Sequence, residues 1–510
     1  MEDITQQKNL SNKEVYGYAF YSIASMLGMI TFMFMNMFWP ERGMDLNLFS
    51  TALLVARIVD FVITLFVGPI MEKVKLRIGG GRYRPWLFVF QFVIYIGLVM
   101  CFFDPGSDVL RFAIVVVGQI LVNTSMSFIM VACFGIIPQM AGASAVDRNR
   151  LTTWNYRFMT AGTVITSLGG AYILTWTGLV VPYPWNYLVM TAAFGLFYFL
   201  GIAVMRATAK PYDIPMEEMA GGMEMPRITL GDMAKAVATN SQLLIYLLAQ
   251  TIMFTGMMAM MNIMIFYWRL IVPYTHVGVD VGSAFPGLYT IGSVITTLAS
   301  FIFSMFGPII GGKVGGKARA MWIGCLAAAV SGVLNFFFGA GMWALYVAIS
   351  MLGTFGAAIY SGFGINYALD CGEYGLWKTG QDNRLVIMSM TNMPMKIAGI
   401  IGGFVLYALA FVGYDAVAAN MALGDLAFGG TIAPYVPDFV NDEFVTGFMF
   451  LVAIVPAICN TIAAALMAFA YKIKDEDAAR YAKENMEKMM AGGGMGMPPM
   501  GPPPEAPAEA

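Results

Sequence analysis

Runs of apolar residues recur along almost the whole chain, and they restrict its fold more than any other feature. A helix needs about 20 predominantly apolar residues to span the hydrocarbon core of a bilayer. The 510-residue sequence is 59% hydrophobic and only 12% charged, whereas soluble domains carry about 25% charged residues. In lipid, only helices and closed barrels satisfy every backbone hydrogen-bonding group. The sequence therefore predicts an all-α membrane protein that crosses the bilayer many times.

The apolar runs and the polar breaks between them predict twelve transmembrane helices in two groups of six. The first group lies near residues 15–37, 47–71, 86–103, 110–139, 158–179 and 187–206. The second group lies near residues 243–267, 284–306, 320–339, 342–369, 385–412 and 446–471. We expect four regions, namely an N-terminal six-helix bundle over 1–206, a middle loop over 207–242, a C-terminal bundle over 243–472 and a tail over 473–510 with a disordered end.

The basic residues are concentrated in alternate loops, which include the N-terminus, the middle loop and the tail. The loop over 413–445, on the other side, has acidic residues and no basic one. Cytoplasmic loops carry the excess of lysine and arginine in membrane proteins. We therefore expect the middle loop, the tail and both termini in the cytoplasm, and the protein in the cell membrane.

Two similar segments occupy matching positions in the two halves. GPIMEKVKLRIGGGR, from Gly68, follows the second predicted helix, and GPIIGGKVGGKAR, from Gly307, follows the eighth. A short cytoplasmic loop can be rich in glycine and lysine for other reasons. The matching position nevertheless favours a duplicated bundle, as in major facilitator transporters, whose substrate site lies between the two halves.

Two charged residues, Arg57 and Asp60, lie inside the second predicted helix. A charge at the bilayer centre costs about 2.5–3.5 kcal/mol, and such residues usually mark a functional site. Arg57 precedes Asp60 by about one turn and is expected to reach toward it, and Thr64 lies on the same helix face. An ion pair that only fixes helix packing is the alternative interpretation.

Four motifs in order along nearly the whole chain resemble those of the glycoside–pentoside–hexuronide:cation symporters, the family of the melibiose permease. They are LVARIVD…GPI…RIGGGRYRPW from Leu54, IIPQM…DRNRL…YRF from Ile136, ALDCGEYGLWKTG from Ala368, and TNMPMKIAG from Thr391, which contains Lys396. The resemblance implies the major facilitator fold and transport by alternating access. Lys396 falls about eleven residues into the predicted eleventh helix, too deep for a lysine that only extends its ammonium to the interface.

The resemblance also implies a cation-coupling site, for which we predict Asp60, Thr64, Ser127, Lys396 and Arg57. The family builds a sodium site from two carboxylates plus asparagine and threonine oxygens. Here Ile63 and Thr64 replace the family's asparagine and second aspartate. Burial of a lone carboxylate favours its protonated form, so we expect H+ rather than Na+ as the coupling ion.

The substrate site implied by the resemblance departs from the family pattern as well. The family's two sugar-binding carboxylates fall near Ala24 and Met130, and a tryptophan becomes Phe134. Because sites that hydrogen-bond hydroxyl groups need polar side chains, we expect a substrate less polar than a disaccharide. The predicted substrate-binding residues are Ala24, Met130, Phe134, Arg157, Tyr360 and Asn392.

Arg157 has two interpretations, a substrate contact or a pairing with acidic loop residues. Four charged residues beside the cytoplasmic ends of helices are assigned to gating, namely Asp370, Glu373, Arg82 and Arg84. The methionines of the seventh helix are either adaptable substrate-contacting surface or ordinary packing surface. His276 is expected to be a solvated loop residue.

The sequence thus predicts a secondary active transporter, a proton-coupled symporter of a glycoside or a related small organic molecule. The alternatives are an uncoupled facilitator or exporter of an aromatic, steroid-like or lipid-like molecule and, in another class, a non-transporting membrane sensor. The scattered cysteines and single histidine argue against a metal site, and no nucleotide-binding or hydrolase motif occurs, so we expect no enzyme. The expected partners are the substrate, the coupling cation and the bilayer. We expect no cofactor, no nucleic acid and a monomer.

Overall fold

The computed structural model describes most of the chain. The described residues are 9–74, 76, 78, 80–141, 144–182, 184–213, 230–276, 279, 283–361, 363–380, 387, 390–415 and 436–491. Residues 214–229 of the expected middle loop, most of the acidic loop over 413–445 and the end of the tail lie outside these residues.

Twelve membrane helices follow one another along the described chain. Four consist of separate segments or include irregular turns: α1 (Asn12–Gly28, Thr31–Phe34 and Met35–Glu41), α10 (Trp343–Ser361 and Gly364–Thr379), α11 (Met393–Gly403 and Val405–Phe411) and α12 (Asp442–Ala470). The others are α2 (Leu46–Lys73), α3 (Arg84–Met100), α4 (Asp108–Ala141), α5 (Ala145–Val180), α6 (Trp185–Thr208), α7 (Ser241–Thr275), α8 (Ser283–Lys313) and α9 (Lys317–Phe338). Two of these, α7 and α8, include a π-helical turn, at Tyr267–Ile271 and Ser283–Leu288.

Ten of these helices are long and apolar enough to cross a membrane, and Arg84–Met100 is a shorter apolar helix. Together with the segmented first helix they give the twelve spans that the sequence predicts. Two short polar helices complete the described chain, the connecting helix Leu230–Thr239 and the C-terminal helix Asp475–Ala491. The fold is an all-helical, multi-pass membrane protein.

The helices pack in two groups with the same pattern of neighbours. In the first group α1 packs on α5 and α6, α4 packs on α2 and α3, and α3 packs on α6. In the second group the same pairs recur with each helix number raised by six, from α7 on α11 and α12 to α9 on α12. The shared pattern indicates a duplicated six-helix unit, as the paired glycine-rich segments predict.

Four helix boundaries differ from the sequence prediction by eight or more residues, two of them the ends of α7 at Thr275 rather than 267 and of α10 at Thr379 rather than 369. Helix α5 begins at Ala145 rather than near 158, because Ser144 caps it by accepting a hydrogen bond from the Asp147 N–H. Helix α11 begins at Met393 rather than at 385, with Pro394 in its first turn, a position where proline favours helix initiation. Residues 390–392 form a turn before this helix, so Lys396 lies one turn into it rather than eleven residues. Residues 385, 386, 388 and 389 of the predicted span lie outside the described residues.

The two groups meet at the face of the protein opposite the two termini, which we call the opposite face. Here Ser167 of α5 contacts Thr297 of α8, with 3.2 Å between the two hydroxyls. The hydroxyls of Thr51 of α2 and Tyr407 of α11 lie 2.7 Å apart. These contacts lie in the parts of the helices that are nearer the opposite face, so this conformation is closed there.

The face that carries the termini, the terminal face, is stabilised by buried carboxylates that bind the backbone. Asp147 accepts hydrogen bonds from the Asn9 and Leu10 N–H groups and from Arg150. Asp213 accepts from the backbone N–H groups of three successive residues that precede and begin α3, namely Arg82, Tyr83 and Arg84. Both carboxylates join segments within the first helix group.

His276 is half-buried at the end of α7 rather than a solvated loop residue. Its Nε2 accepts a hydrogen bond of 3.0 Å from the Trp343 N–H at the start of α10. The expectation of a free loop residue is therefore wrong, because the ring connects two helix ends at the opposite face.

Asp104 forms the main ion-pair cluster of the opposite face within the first helix group. Its carboxylate lies 2.7 Å from Arg42 Nε and 2.8 Å from Arg111 Nε, and its side chain is 3% exposed. Burial alone would raise its pKa. Hydrogen bonds from Arg111, the Gly106 N–H and Arg42 outweigh burial and lower the pKa of Asp104 to about 2.

We expect Asp104→Asn to lower the free energy of unfolding at pH 7 by about 1–3 kcal/mol, because hydrogen bonds to a charged group are lost. Since the folded-state pKa lies below that of an unfolded aspartate, about 3.9, this contribution is full above about pH 4. It is lost as the pH falls through the folded-state pKa. Unfolding in detergent at several pH values measures the difference.

The matched control is Asp108→Asn, which removes a carboxylate that is 66% exposed and pairs with the same Arg111. Exposed ion pairs contribute about 0–1 kcal/mol, so this variant should remain close to the wild type. Equal effects of the two substitutions at pH 7 would contradict the assignment.

Candidate functional site

An ion pair between the two helix groups lies at the centre of the candidate site. The ammonium of Lys396, on α11, lies 2.7 Å from Asp60 Oδ2, on α2. Asp60 is near the middle of its 28-residue helix, so Lys396 is at mid-depth although it is close to its own helix start. The Asp60 side chain is 6% exposed and that of Lys396 is 26% exposed. The pair is therefore largely removed from solvent.

Two hydroxyl groups complete the surroundings of the ion pair. Lys396 also donates to Ser127 Oγ of α4 at 3.1 Å. The Thr64 hydroxyl lies 3.2 Å from Ser127 Oγ and 3.5 Å from Asp60 Oδ1. Four of the five predicted coupling residues therefore meet at one point, and the lysine ammonium lies among their oxygen atoms.

Arg57, the fifth predicted coupling residue, does not pair with Asp60. Its guanidinium donates to the Gly399 carbonyl oxygen at 2.7 Å and to Asn262 Oδ1 at 3.0 Å. The expected contact between Arg57 and Asp60 is wrong, because Lys396 binds the carboxylate and the arginine is one helical turn nearer the opposite face. Both of its acceptors are on the second helix group, on α11 and α7.

Asn262 is a site residue that the sequence reasoning missed. Besides accepting from Arg57, it donates to the Gly402 carbonyl oxygen at 3.3 Å, and its own carbonyl oxygen accepts from Asn36 of α1 at 3.0 Å. The cluster of Asn36, Arg57 and Asn262 joins α1, α2, α7 and α11. The available signal was a lone asparagine in a methionine-rich apolar helix, where buried amides need partners.

Gly403 leaves space on α11 for the guanidinium of Arg57. A Cβ atom at this position would lie 2.5 Å from Arg57 Nη1, which is shorter than any normal contact. The glycines of α11 therefore allow a long arginine to cross between the helix groups.

A row of polar side chains extends along α4 from the ion pair toward the opposite face. Ser127 donates to the Asn123 carbonyl oxygen at 3.1 Å, and the Asn123 amide donates to Gln119 Oε1 at 3.0 Å. Gln119 is buried and donates to the sulfur of Met35 at 2.8 Å. These residues are four apart, so they share one helix face.

On the other side of Ser127, the same face of α4 carries Met130 and Phe134, at spacings of three and seven residues. Their exposed fractions are 38% and 53%. Both lie nearer the terminal face than Ser127, whose hydroxyl contacts Lys396 of the other group.

Two of the predicted substrate residues lie inside the helix groups instead. Ala24 is 1% exposed, and a Cβ on Gly201 of α6 would lie 2.4 Å from its methyl group. The Tyr360 hydroxyl donates to the sulfur of Met253 at 3.0 Å within the second group. The prediction that Ala24 contacts substrate is therefore wrong for this conformation, and Tyr360 is held by packing within its own group.

Asn392 and Arg157 are both exposed. Asn392 precedes the first turn of α11, four residues before Lys396, and so lies one turn closer to the terminal face. Arg157 lies over the ring of Trp154, with 4.8 Å from its guanidinium carbon to the ring centroid. Among the described residues no carboxylate pairs with Arg157, so the alternative of pairing with loop acids receives no support.

The four predicted gating residues fall in two separate clusters at the terminal face. Arg82 and Arg84 flank the loop bound by Asp213, and Arg84 Nε also donates to the Arg206 carbonyl oxygen at 3.1 Å. In the second group, Asp370 forms an ion pair with Lys317, and Glu373 accepts from Asn485 of the C-terminal helix at 2.8 Å. Each described cluster connects elements of its own helix group.

Two six-helix groups around a central charged pair define a membrane transporter of the major facilitator type. The sequence matches the family described as MFS/sugar transport protein over residues 17–475, and the chain belongs to that family.

Relatives of similar length agree with this assignment. The "Uncharacterized symporter YjmB" of Bacillus subtilis (strain 168) is 22% identical over 490 residues, which cover 95% of this chain and 97% of the relative. A protein of Salmonella typhimurium described as a "Putative sulfoquinovose importer" is 21% identical over 96% of both chains.

Among solved structures, the fold is similar to that of a bacterial homologue of the human lysosomal transporter Spinster. The TM-score is 0.58 at 13% sequence identity, and the match covers 94% of this chain and 99% of that one. At this identity the similarity supports the fold and carries no information on the substrate.

Proposed function

We propose that the protein is a proton-coupled symporter that moves a small organic molecule between its two helix bundles by alternating access. The observation that carries the proposal is the ion pair of Asp60 with Lys396, because it joins α2 of one bundle to α11 of the other. A change in the charge of Asp60 therefore changes an attraction between the two bundles.

The surroundings of Asp60 support a proton over a sodium ion. A hard cation such as sodium needs several oxygen ligands, and here the described oxygens are one carboxylate and the hydroxyls of Thr64 and Ser127. The Lys396 ammonium lies among these same oxygens. Because this tethered cation already neutralises the carboxylate, the way to release it is to protonate Asp60.

The conformation suggests when the proton leaves. In this conformation the Lys396 ammonium lies 2.7 Å from Asp60 Oδ2, and we propose that the proton has left Asp60 when the opposite face is closed. When the bundles rearrange and Lys396 withdraws, the neutral carboxylic acid is favoured in an apolar environment and a proton can bind. Proton binding and release thus follow the two access states.

The substrate proposal depends on the apolar side chains of the α4 face that carries Ser127. Met130 and Phe134 are exposed on the face that carries Ser127, where the resembled family has a carboxylate and a tryptophan. We propose a glycoside or related molecule with an apolar part, within the glycoside–pentoside–hexuronide:cation symporter branch. The likeness to a relative described as a sulfoquinovose importer supports a sugar-like component. The concentration of basic residues in alternate loops supports a cytoplasmic position for the terminal face.

Uptake into vesicles that contain the purified full chain tests the proposal. We expect aryl glycosides to accumulate when the outside is more acidic than the inside, and sodium to have no effect on the rate. Each pH unit corresponds to about 1.4 kcal/mol per proton, or up to about tenfold accumulation at one proton per substrate.

Vesicles without protein and vesicles without a pH gradient are the controls. Accumulation that follows a sodium gradient and ignores pH would exclude the proton mechanism. Saturable uptake of a plain disaccharide with no preference for the aryl compounds would exclude the apolar component of the substrate.

A further inference from the structure

Two arginines of the first bundle lie together at the terminal face, where α3 begins and α6 ends. Arg84 is the first residue of α3, and Arg206 is in the last turn of α6. Their side chains line a cavity of about 100 Å³ together with Ile78 and Phe88. Both helices pack on neighbours of their own bundle, so the cavity is on the outer side of the first bundle and away from the candidate transport site.

The guanidinium of Arg206 lies over an aromatic ring, and one of its nitrogens has no acceptor. Its carbon is 4.5 Å from the centroid of the Phe88 ring, and its Nη1 is buried without a hydrogen-bond partner among the described residues. A buried donor without a partner is costly, and in a native structure such a group indicates an ion or ligand that is not shown. Arg84 Nε donates to the Arg206 carbonyl oxygen at 3.1 Å, which holds the second positive charge beside the first. The cavity therefore favours an anion.

The matching position of the second bundle is neutralised by the chain itself. Lys317 begins α9 as Arg84 begins α3, and its ammonium pairs with Asp370 and, at 3.9 Å, with Asp475. Among the described residues no carboxylate forms an ion pair with either arginine of the cavity. Asp213, which follows α6, accepts from three backbone N–H groups at the start of α3 instead. The excess positive charge is thus particular to the first bundle.

A row of aromatic rings extends from the cavity along α3 and α6, away from the terminal face. The ring centroids of Phe88 and Phe92 are 5.4 Å apart, and those of Phe92 and Phe199 are 5.0 Å apart. Phe199 precedes Arg206 by seven residues, or about 10 Å along the helix. Phe92 is 45% exposed, and Leu200 next to Phe199 is 53% exposed. Exposed apolar side chains on membrane helices contact the lipid chains, which are as apolar as leucine.

We propose that this cavity binds the phosphate group of an anionic phospholipid, whose acyl chains lie along the aromatic row. Arginine binds phosphate through two parallel N–H···O bonds, and basic pockets between transmembrane helices bind anionic headgroups. The cavity has the volume of about three water molecules at about 30 Å³ each, which is room for a phosphate group. A free phosphate ion would contact the arginines alone, whereas a phospholipid also covers Phe92 and Leu200, so the apolar row favours the lipid.

Lipid binding to the purified full chain in detergent tests the proposal without a transport assay. The probes are dioleoylphosphatidylglycerol, dioleoylphosphatidylcholine and inorganic phosphate, each added to protein from which native lipid has been removed. Native mass spectrometry at several lipid concentrations gives the dissociation constants. We expect phosphatidylglycerol to bind about tenfold more tightly than phosphatidylcholine, because the choline group brings a positive charge close to the arginines. Inorganic phosphate at the concentration of the lipid should not displace it.

Arg206→Gln should lower the affinity for phosphatidylglycerol about tenfold, since it removes a charged donor to the phosphate. Arg84→Gln should have the same effect by removing the other charge. Neither substitution leaves a buried carboxylate without its partner, so both variants are expected to fold. The matched control is Lys210→Gln, which removes an exposed lysine four residues after Arg206 and should keep the wild-type affinity.

Four results would overturn the proposal. They are equal affinities for the two lipids, unchanged binding of phosphatidylglycerol by both arginine variants, an equal loss in Lys210→Gln, and displacement of the lipid by inorganic phosphate. The third would indicate a general attraction of the basic face for anionic lipid, and the fourth would leave a site for an adventitious ion only.

Discussion

Replacing Asp60 with asparagine is expected to abolish the accumulation of substrate driven by a pH gradient and to leave exchange of substrate across the membrane in place. Asparagine has nearly the shape of the protonated carboxyl and cannot release a proton. The accumulation ratio should fall from as much as about tenfold per pH unit to about one. Equilibrium exchange requires movement of the loaded carrier without a change in protonation, so it should continue.

The measurement is paired uptake and exchange in vesicles with the same amount of folded protein. Asp104→Asn is the matched control, because Asp104 is an ion-paired aspartate whose described partners, Arg42 and Arg111, are within one bundle. This variant should be less stable and still accumulate substrate. Retention of pH-driven accumulation by Asp60→Asn would reject Asp60 as the proton carrier.

Replacing Arg57 with glutamine is expected to open the opposite face. The substitution removes two hydrogen bonds to the other bundle, those to the Gly399 carbonyl oxygen and Asn262 Oδ1. Hydrogen bonds from a charged group contribute about 1.5–3 kcal/mol each, and each 1.4 kcal/mol changes a population ratio tenfold. We therefore expect the population open at that face to rise about tenfold or more.

A cysteine introduced at Ser167 reports on this change, because Ser167 is buried against Thr297 at the contact between bundles. With the five native cysteines replaced, a membrane-impermeant maleimide should label Ser167→Cys at least about tenfold faster when Arg57→Gln is present. Arg111→Gln is the control, since it removes an arginine of the same face whose partners Asp104 and Asp108 belong to its own bundle. Equal labelling in the two variants would contradict the role of Arg57.

The two predictions concern neighbouring residues with different roles. Asp60 and Arg57 are one helical turn apart on α2, yet Asp60 binds Lys396 and Arg57 binds a carbonyl and an amide. A contact between Arg57 and Asp60 within α2 would not have linked the two bundles. Because both residues instead contact the other bundle, we propose that Asp60 links the bundles to a proton and that Arg57 keeps the opposite face closed.

Much of the architecture was predictable from the sequence because the bilayer imposes it. The number of helices follows from the length of apolar runs, and the duplication follows from matching segments after the second and eighth helices. The Asp60 position stood out because a charge in an apolar helix is expensive. The family pattern then pointed to Ser127 and Lys396; Lys396 contacts Asp60, and Ser127 contacts Lys396.

The start of α11 could not be predicted from apolar composition. Apolar composition continues before Met393, and the turn at Asn392 and Pro394 shortens the helix without changing the hydropathy of the run. The environment of Ala24 was equally hidden, since contact with Gly201 depends on the approach of α6 to α1. Asn262 was missed because its partners come from helices far apart along the chain.

The sequence by itself determined that the chain crosses a membrane twelve times, that its halves are related, and that Asp60 is a costly charge in need of a partner. These properties depend on local composition, because hydrophobic burial responds directly to the number of apolar residues in a segment. The tertiary structure alone decided that Lys396, rather than Arg57, is the partner of Asp60. Residues 336 positions apart meet there, and only the packing of α2 against α11 fixes which cation reaches the carboxylate.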